Sequence, residues 1–312
     1  MASQALSSAK RGRRPRLTFR QQETIAAWLL ITPWLLGFLL FIAGPMLASI
    51  WLSFTSWDLL TPPKWVGLAN YIRLGTADPS VGRSLRVTTV YSFVSVPLNV
   101  AFGLFVAMLL NERIRLQSFM RTLYYLPSVV SGVAVALLWR WIFAADFGLL
   151  NSFLALAGIR GPAWLSDTRT ALPALIIMSL WGVGGGMVIY LAGLQSVPTA
   201  LYEAAEIDGA GAVRRFWNIT VPMISPVIFF QTIMGIIGAL QTFTQAFIMT
   251  DGGPKDATLF FLLYLYRNAF QQYKMGYASA LAWVLFFYIM ALTLLFLRSS
   301  SSWVYYEGAA RR

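Results

Sequence analysis

Six stretches of this chain hold no charged side chain: residues 24–57, 87–111, 122–139, 170–202, 216–250 and 275–297. A charge at the centre of a bilayer costs several kcal/mol unless shielded, and a helix needs about 20 apolar residues to cross the hydrocarbon. All six stretches approach or exceed that length. They predict an all-α integral membrane protein with six transmembrane helices. Composition points to the same class, with 58% hydrophobic and 12% charged residues against roughly 45–50% and about 25% in soluble domains. Within 312 residues, six spans and their loops leave little for an additional soluble catalytic domain. Two shorter apolar patches, 147–159 and 257–266, read as interfacial or outward-facing helices. For the second, whose bulky run extends from Phe260 to Tyr266, a re-entrant piece is the alternative.

The charges between the stretches set an orientation. Net charge is +12, and the first 20 residues carry six of the 24 basic side chains: Lys10, Arg11, Arg13, Arg14, Arg16 and Arg20. A basic tail before an apolar span belongs in the cytoplasm, near anionic lipid. Alternation from that tail puts 14 basic residues inside and 10 outside, a modest contrast that favours cytoplasmic N- and C-termini. The chain then divides into a basic cytoplasmic N-tail, 1–24, a six-helix transmembrane domain, 25–298, and a cytoplasmic C-tail, 299–312. A cleaved signal peptide competes for the first stretch, but its apolar run far exceeds the roughly 7–15 residues of a signal core. The basic excess points to the lipid bilayer and not to nucleic acid, because no basic and aromatic platform follows the tail.

The chain has no Cys and no His. Thiol redox work, Cys or His metal sites and histidine acid–base catalysis are thereby excluded. Its four lysines, Lys10, Lys64, Lys255 and Lys274, follow Ala, Pro, Pro and Tyr, so no G-x-x-x-x-G-K phosphate loop exists. The chain is expected to bind no cofactor, and any ATPase must be a separate subunit.

One segment, 195–222, is built differently from its neighbours. Pro198 suits the first turn of a helix, with Ser196 and Thr199 as candidate caps. Nothing breaks the helix between Thr199 and Asp208, and Gly209 with Gly211 ends it. Leu201, Ala204, Ala205 and Asp208 share one side at three- and four-residue spacing. Small alanines there permit close approach of another surface, with Glu203, Glu206 and Asp208 at its margin. A solvated interfacial loop helix would share this composition.

The order of residues distinguishes the two. Glu203-Ala204-Ala205, three residues, Gly209, nine residues, then Ile219-Thr220-Val221-Pro222 resembles the EAA signature of permease subunits of binding-protein-dependent ABC importers. Val221 stands where that family usually has Leu. Further matches are Arg121-Thr122-Leu123-Tyr124-Tyr125-Leu126-Pro127, Trp164-Leu165, Thr250-Asp251-Gly252-Gly253-Pro254 and Trp65-Val66-Gly67-Leu68-Ala69-Asn70-Tyr71. These resemble the carbohydrate-uptake branch, of sugar and glycerol-phosphate type, over most of the chain. The resemblance implies a type I ABC importer permease fold in a prokaryotic plasma (inner) membrane. It also implies a second homologous permease subunit, two ATP-binding cassette subunits that use ATP and Mg2+, and an extracytoplasmic solute-binding protein. Glu203, Ala204, Ala205, Asp208, Gly209, Ile219 and Pro222 would then couple to the ATPase. Closure of the ATPase dimer would pull this helix and, through a rigid Pro222 and Pro226 region, swing the fifth span.

A neutral sugar or polyol needs amides and hydroxyls for its own hydroxyls and aromatic faces for its C–H surfaces. Inside the uncharged stretches the candidates are Asn99, Trp181, Tyr190, Gln241, Thr244 and Gln245, with Gln241 and Gln245 expected on one helix face. The glycines Gly182, Gly184, Gly185 and Gly186 would admit a solute or a neighbouring helix. The same amides and glycines also serve helix packing. A proton-coupled secondary transporter would need an ionisable group inside a span, and none of the six stretches has one. An ion channel would show filter loops or charged rings. A non-transporting scaffold gives no reason for the EAA spacing.

Overall fold

The computed structural model describes residues 18–112 and 115–305. Most of the basic tail, with Lys10 to Arg16, lies outside the described residues, as do Arg113 and the last seven residues. Two compact units divide the chain, Met1–Trp51 and Leu52–Arg312.

The first unit contributes most of α1, Phe19–Ser53. Its start is fixed by a capping box: Gln21 N–H donates to Thr18 Oγ1, and Thr18 N–H donates to Gln21 Oε1. The helix therefore begins inside the stretch read as tail. Beyond Thr24 it is apolar around most of its circumference, the pattern of a helix in lipid.

The second unit opens with a two-residue hairpin, β1 (Thr55–Ser56) against β2 (Lys64–Trp65), and a short α2 (Ala69–Thr76). α3 (Pro79–Asn111) is the central post. Next come α4 (Gln117–Val129) and α5 (Gly132–Ile142), bent 100° from each other, and the short α6 (Leu149–Leu156). The pair α7 (Ala171–Gly182) and α8 (Gly184–Gln195) is bent by 49°. α9 (Thr199–Ile207) precedes α10 (Ala212–Met223) and α11 (Ser225–Leu240), which are bent by 69°. A one-residue-wider turn over Ala246–Thr250, the short α12 (Phe261–Tyr266) and α13 (Met275–Ser302) complete the order. Among the described residues three helices are long and apolar enough to cross a membrane, or six if each bent pair is one span.

α3 packs along α8 and α11, and three apolar clusters surround it. Tyr91 of α3 meets Leu175 of α7, Met249 and Phe260 in one. Leu104, Ala107 and Leu110 meet Met187, Leu191 and Ile224 in another. Leu74, Phe261, Tyr277 and Leu281 form the last.

The patch 257–266 is packed against α3. Phe260, Phe261 and Leu263 are fully buried, and Phe261 N–H donates to Thr88 Oγ1 of α3 at 2.8 Å. These three side chains belong to the core, while Leu262, Tyr264, Leu265 and Tyr266 are half-buried. The flanking loop is pinned by Arg267, which donates to Asp251 O at 2.6 Å and Asp251 Oδ1 at 3.0 Å, and by an Arg83–Asp256 ion pair at 3.2 Å.

Asp78 ties three elements at the start of α3. Its Oδ1 accepts Ser80 N–H at 3.1 Å, and its Oδ2 accepts the hydroxyls of Tyr264 and, at 2.6 Å, Tyr277. Burial pushes this carboxyl up, but the two tyrosine hydrogen bonds, Ser80 N–H and the Arg73 charge outweigh it and hold it below its ordinary value. Arg73 also stacks over the Tyr277 ring, 4.8 Å from its centroid.

Candidate functional site

Two features converge on function: the exposed segment around α9 and a cavity against α3. α9 runs from Thr199 to Ile207, the helix that the sequence predicts. Its expected caps are not used. Pro198 holds the N-cap position with no side-chain bond, and Ser196 Oγ turns back to donate to Gly193 O at 2.7 Å. The preceding helix ends only three residues earlier, so the serine is spent on its last turn.

The other end follows expectation. Gly209 lies at φ +73°, with its N–H on Glu206 O at 3.0 Å and Ala210 N–H on Ala205 O at 2.8 Å. Those two bonds make a Schellman cap, which needs a residue without a Cβ penalty at that φ. Leu201, Glu203, Ala204 and Asp208 are exposed and Ala205 is half-buried. The face carrying the small residues is therefore open. Ile219 packs against the Leu104–Met187 cluster, and Pro222 is half-buried beside the α10–α11 bend. That bend lies within the Pro222–Pro226 connection, where neither proline donates to the helical ladder.

Sequence reasoning missed the apolar part of this surface. Ile207 is 87% exposed, Val213 73% and Trp217 62%. Three large apolar side chains in a polar, charged segment were the available signal.

The cavity, about 320 Å³, lies among α3, α7, α8 and α11. Its polar lining includes Ser95, Asn99, Ser179, Tyr190, Gln231 and Thr242, and among the described residues no Asp, Glu, Lys or Arg borders it. Asn99 Nδ2 donates to Ser95 O at 2.7 Å and to Ser179 Oγ at 2.8 Å. It thus joins α3 to α7 and borders the cavity at once. Tyr190 is 1% exposed, and its hydroxyl has no hydrogen-bond partner among the described residues.

The glycine run divides its work. A Cβ on Gly184 would sit 2.0 Å from Tyr124 O, so this glycine lets α8 cross α4. A Cβ on Gly186 would sit 2.6 Å from Gln231 Nε2, so this one opens space at the cavity wall.

The remaining candidates fall elsewhere. Trp181 and Gln245 border a smaller cavity of about 170 Å³ that shares Tyr91, Ser179 and Gly182 with the first. Gln241 and Thr244 are among the lining residues of neither. α11 ends at Leu240, Gln241 forms a turn, and helix resumes only at Thr244. Gln241 and Gln245 therefore do not share a helix face, because the four-residue spacing counts only along an unbroken helix. Gln231 and Ser179, by contrast, were not singled out by the sequence, though both are polar groups within uncharged stretches.

Comparison with known proteins identifies the chain's relatives. Residues 99–305 match the family described as binding-protein-dependent transport system inner membrane component. The probable ABC transporter permease protein YesP of Bacillus subtilis is 44% identical, over 92% of this chain and 94% of that protein. The probable starch degradation products transport system permease protein AmyD of Thermoanaerobacterium thermosulfurigenes is 31% identical, over 86% and 91%. A crystal structure of a bacterial ABC transporter involved in alginate import has a chain of the same fold, with TM-score 0.78 at 24% identity, covering 90% of this chain and 98% of that one. The spacing from Glu203 to Pro222, the helical fold and these matches agree: the chain belongs to the family of inner membrane components of binding-protein-dependent transport systems, the permease subunits of ABC importers.

Proposed function

We propose that this permease passes a neutral sugar or polyol through the cavity beside α3, in a prokaryotic plasma membrane. The observation that carries the reading is the cavity's lining: amides, hydroxyls and tyrosines converge there without a fixed charge. Hydroxyl-rich solutes need such donors and acceptors, and a carboxylate would find no counter-charge. The names of relatives such as AmyD, which concern starch degradation products, support carbohydrate as the class.

The proposed assembly pairs this chain with a second permease, two ATP-binding cassette subunits, one of them at α9, and a solute-binding protein outside. Glu203, Ala204, Ala205, Asp208 and Gly209 form the contact with the ATPase, and Ile219 and Pro222 connect it to the spans. Both termini face the cytoplasm in this arrangement.

Substitution tests the cavity. A Cβ on Gly238, which lines it, meets nothing within 4 Å, so Gly238→Leu fills space without a clash at its root. Sugar uptake by the complete transporter should fall by an order of magnitude or more, with assembly intact. Gln231→Ala should raise the half-saturating sugar concentration about two- to tenfold, the equivalent of one net hydrogen bond of about 0.5–1.5 kcal/mol. Unchanged uptake kinetics in both variants would place the solute path elsewhere.

A further inference from the structure

α9 is fastened to α10 at two points. Tyr202 Oη and Thr220 Oγ1 lie 3.0 Å apart, and Thr220 is buried at 5% exposure. Glu206 and Arg215 form an ion pair nine residues apart across the Gly209 turn. A hydrogen bond at the middle of α9 and an ion pair one turn later, near its C-terminal end, together resist sliding and splaying of the two helices.

The far end of α10 is constructed in the opposite way. Pro226 has no N–H, so Pro222 O loses its helical donor. Ser225 Oγ donates to that carbonyl instead, at 2.7 Å. The axis turns by 69° at this break. Ile224, 1% exposed, sits at the turn and packs into the α3–α8 cluster. Beyond it, α11 is tied to the segment that follows α13: Tyr305 N–H donates to Ser225 Oγ at 2.8 Å. Trp303 meets the Phe229 ring edge-on, with centroids 5.7 Å apart.

Space for movement lies beside α10. A cavity of about 470 Å³ separates it from the end of α3, bordered by Asn111, Glu112, Tyr202, Glu206, Arg215 and Thr220 among others. Both fasteners stand at its wall.

We infer that α9 and α10 form one rigid lever, held by Tyr202–Thr220 and Glu206–Arg215, that pivots at Ile224 against an α11 anchored by Ser225 and Tyr305. The inference rests on the proposed ATPase contact at α9 and adds what carries that contact's movement to the spans. Tyr202, Thr220, Glu206 and Arg215 are positioning residues in this account. Without them, α9 follows the ATPase while α10 stays behind, and ATP is hydrolysed without transport.

The chain has no cysteine, which permits a direct test. Glu206→Cys with Arg215→Cys is assembled with the partner subunits in vesicles, and sugar transported per ATP hydrolysed is measured before and after a short bis-maleimide joins the two thiols. Treated and untreated wild type serve as references. The expected result is a ratio reduced about fivefold or more, on the scale of a typical coupling energy, and restored by the cross-link. Failure of the cross-link to restore it, or a further fall, would show that α9 must move relative to α10 and overturn the lever. Loss of the ATPase from the paired variant in pull-down would place the ion pair in the docking surface and overturn it equally. If wild type itself retains no ATPase, the ATPase contact is wrong, a failure distinct from that of the lever.

Discussion

Gly209→Pro abolishes ATP-driven uptake while the chain still inserts in the membrane. Gly209 holds φ +73° at the end of α9, and proline's ring fixes φ near −65°. The substitution also removes the N–H that Gly209 places on Glu206 O at 3.0 Å. Asp208, at φ −74° and ψ 3°, would be driven toward extended backbone by a following proline. These three effects act at one turn, and a proline of this kind costs about 3 kcal/mol or more. α9 then ends in the wrong direction, and Arg215 no longer faces Glu206. Gly209→Ala retains the N–H and meets only the left-handed penalty of about 1–2 kcal/mol, so uptake should fall but persist. Uptake into vesicles, with membrane insertion checked in parallel, measures both. Equal activity of the alanine and proline variants would contradict the role given to this turn.

Ile207→Lys and Glu203→Lys should each release the ATPase. Ile207 is 87% exposed in the isolated chain, on the helix proposed to enter the ATPase. An ammonium at such a contact loses its water without a partner, and hot-spot positions of this kind account for about 2–4 kcal/mol. Retention of the ATPase in pull-down should weaken by about 30- to 1,000-fold. Glu203 is also exposed; reversing its charge places a like or unpaired charge at the same contact. Ile207→Leu serves as the control, since it keeps the apolar surface and should retain the ATPase. Full retention by both lysine variants would show that α9 is a solvated loop helix.

How much of this was legible in the sequence depends on what the residues encode. Absence of charge encodes that a segment is apolar, and the long α3 and α13 follow from it. It does not encode straightness. The breaks at Val130, Val183 and Ile224 interrupt three uncharged stretches. At Ile224 the flanking Pro222 and Pro226 were signals, because two missing N–H groups four residues apart favour a kink. The break after Leu240 has no proline, so counting from Gln241 to Gln245 produced a shared face that the backbone does not have. The Gly209 turn was fully legible, since a cap is a local device set by one residue's φ. The cavity was legible only in part. Asn99 and Tyr190 stood out as single polar groups, but their meeting with Gln231 depends on how α3, α8 and α11 pack, which no spacing within one helix specifies.

The central claim is that this chain converts ATP hydrolysis by a separate subunit into uptake of a sugar presented by a binding protein. Its most direct test is uptake of labelled neutral oligosaccharide into vesicles holding the chain, its partner permease and the ATPase, with the sugar-loaded binding protein on the outer side. Accumulation that requires both ATP and the binding protein, and that is unaffected when the proton gradient is collapsed, is the predicted result. Accumulation that proceeds without ATP, or that stops when the proton gradient is collapsed, would contradict it.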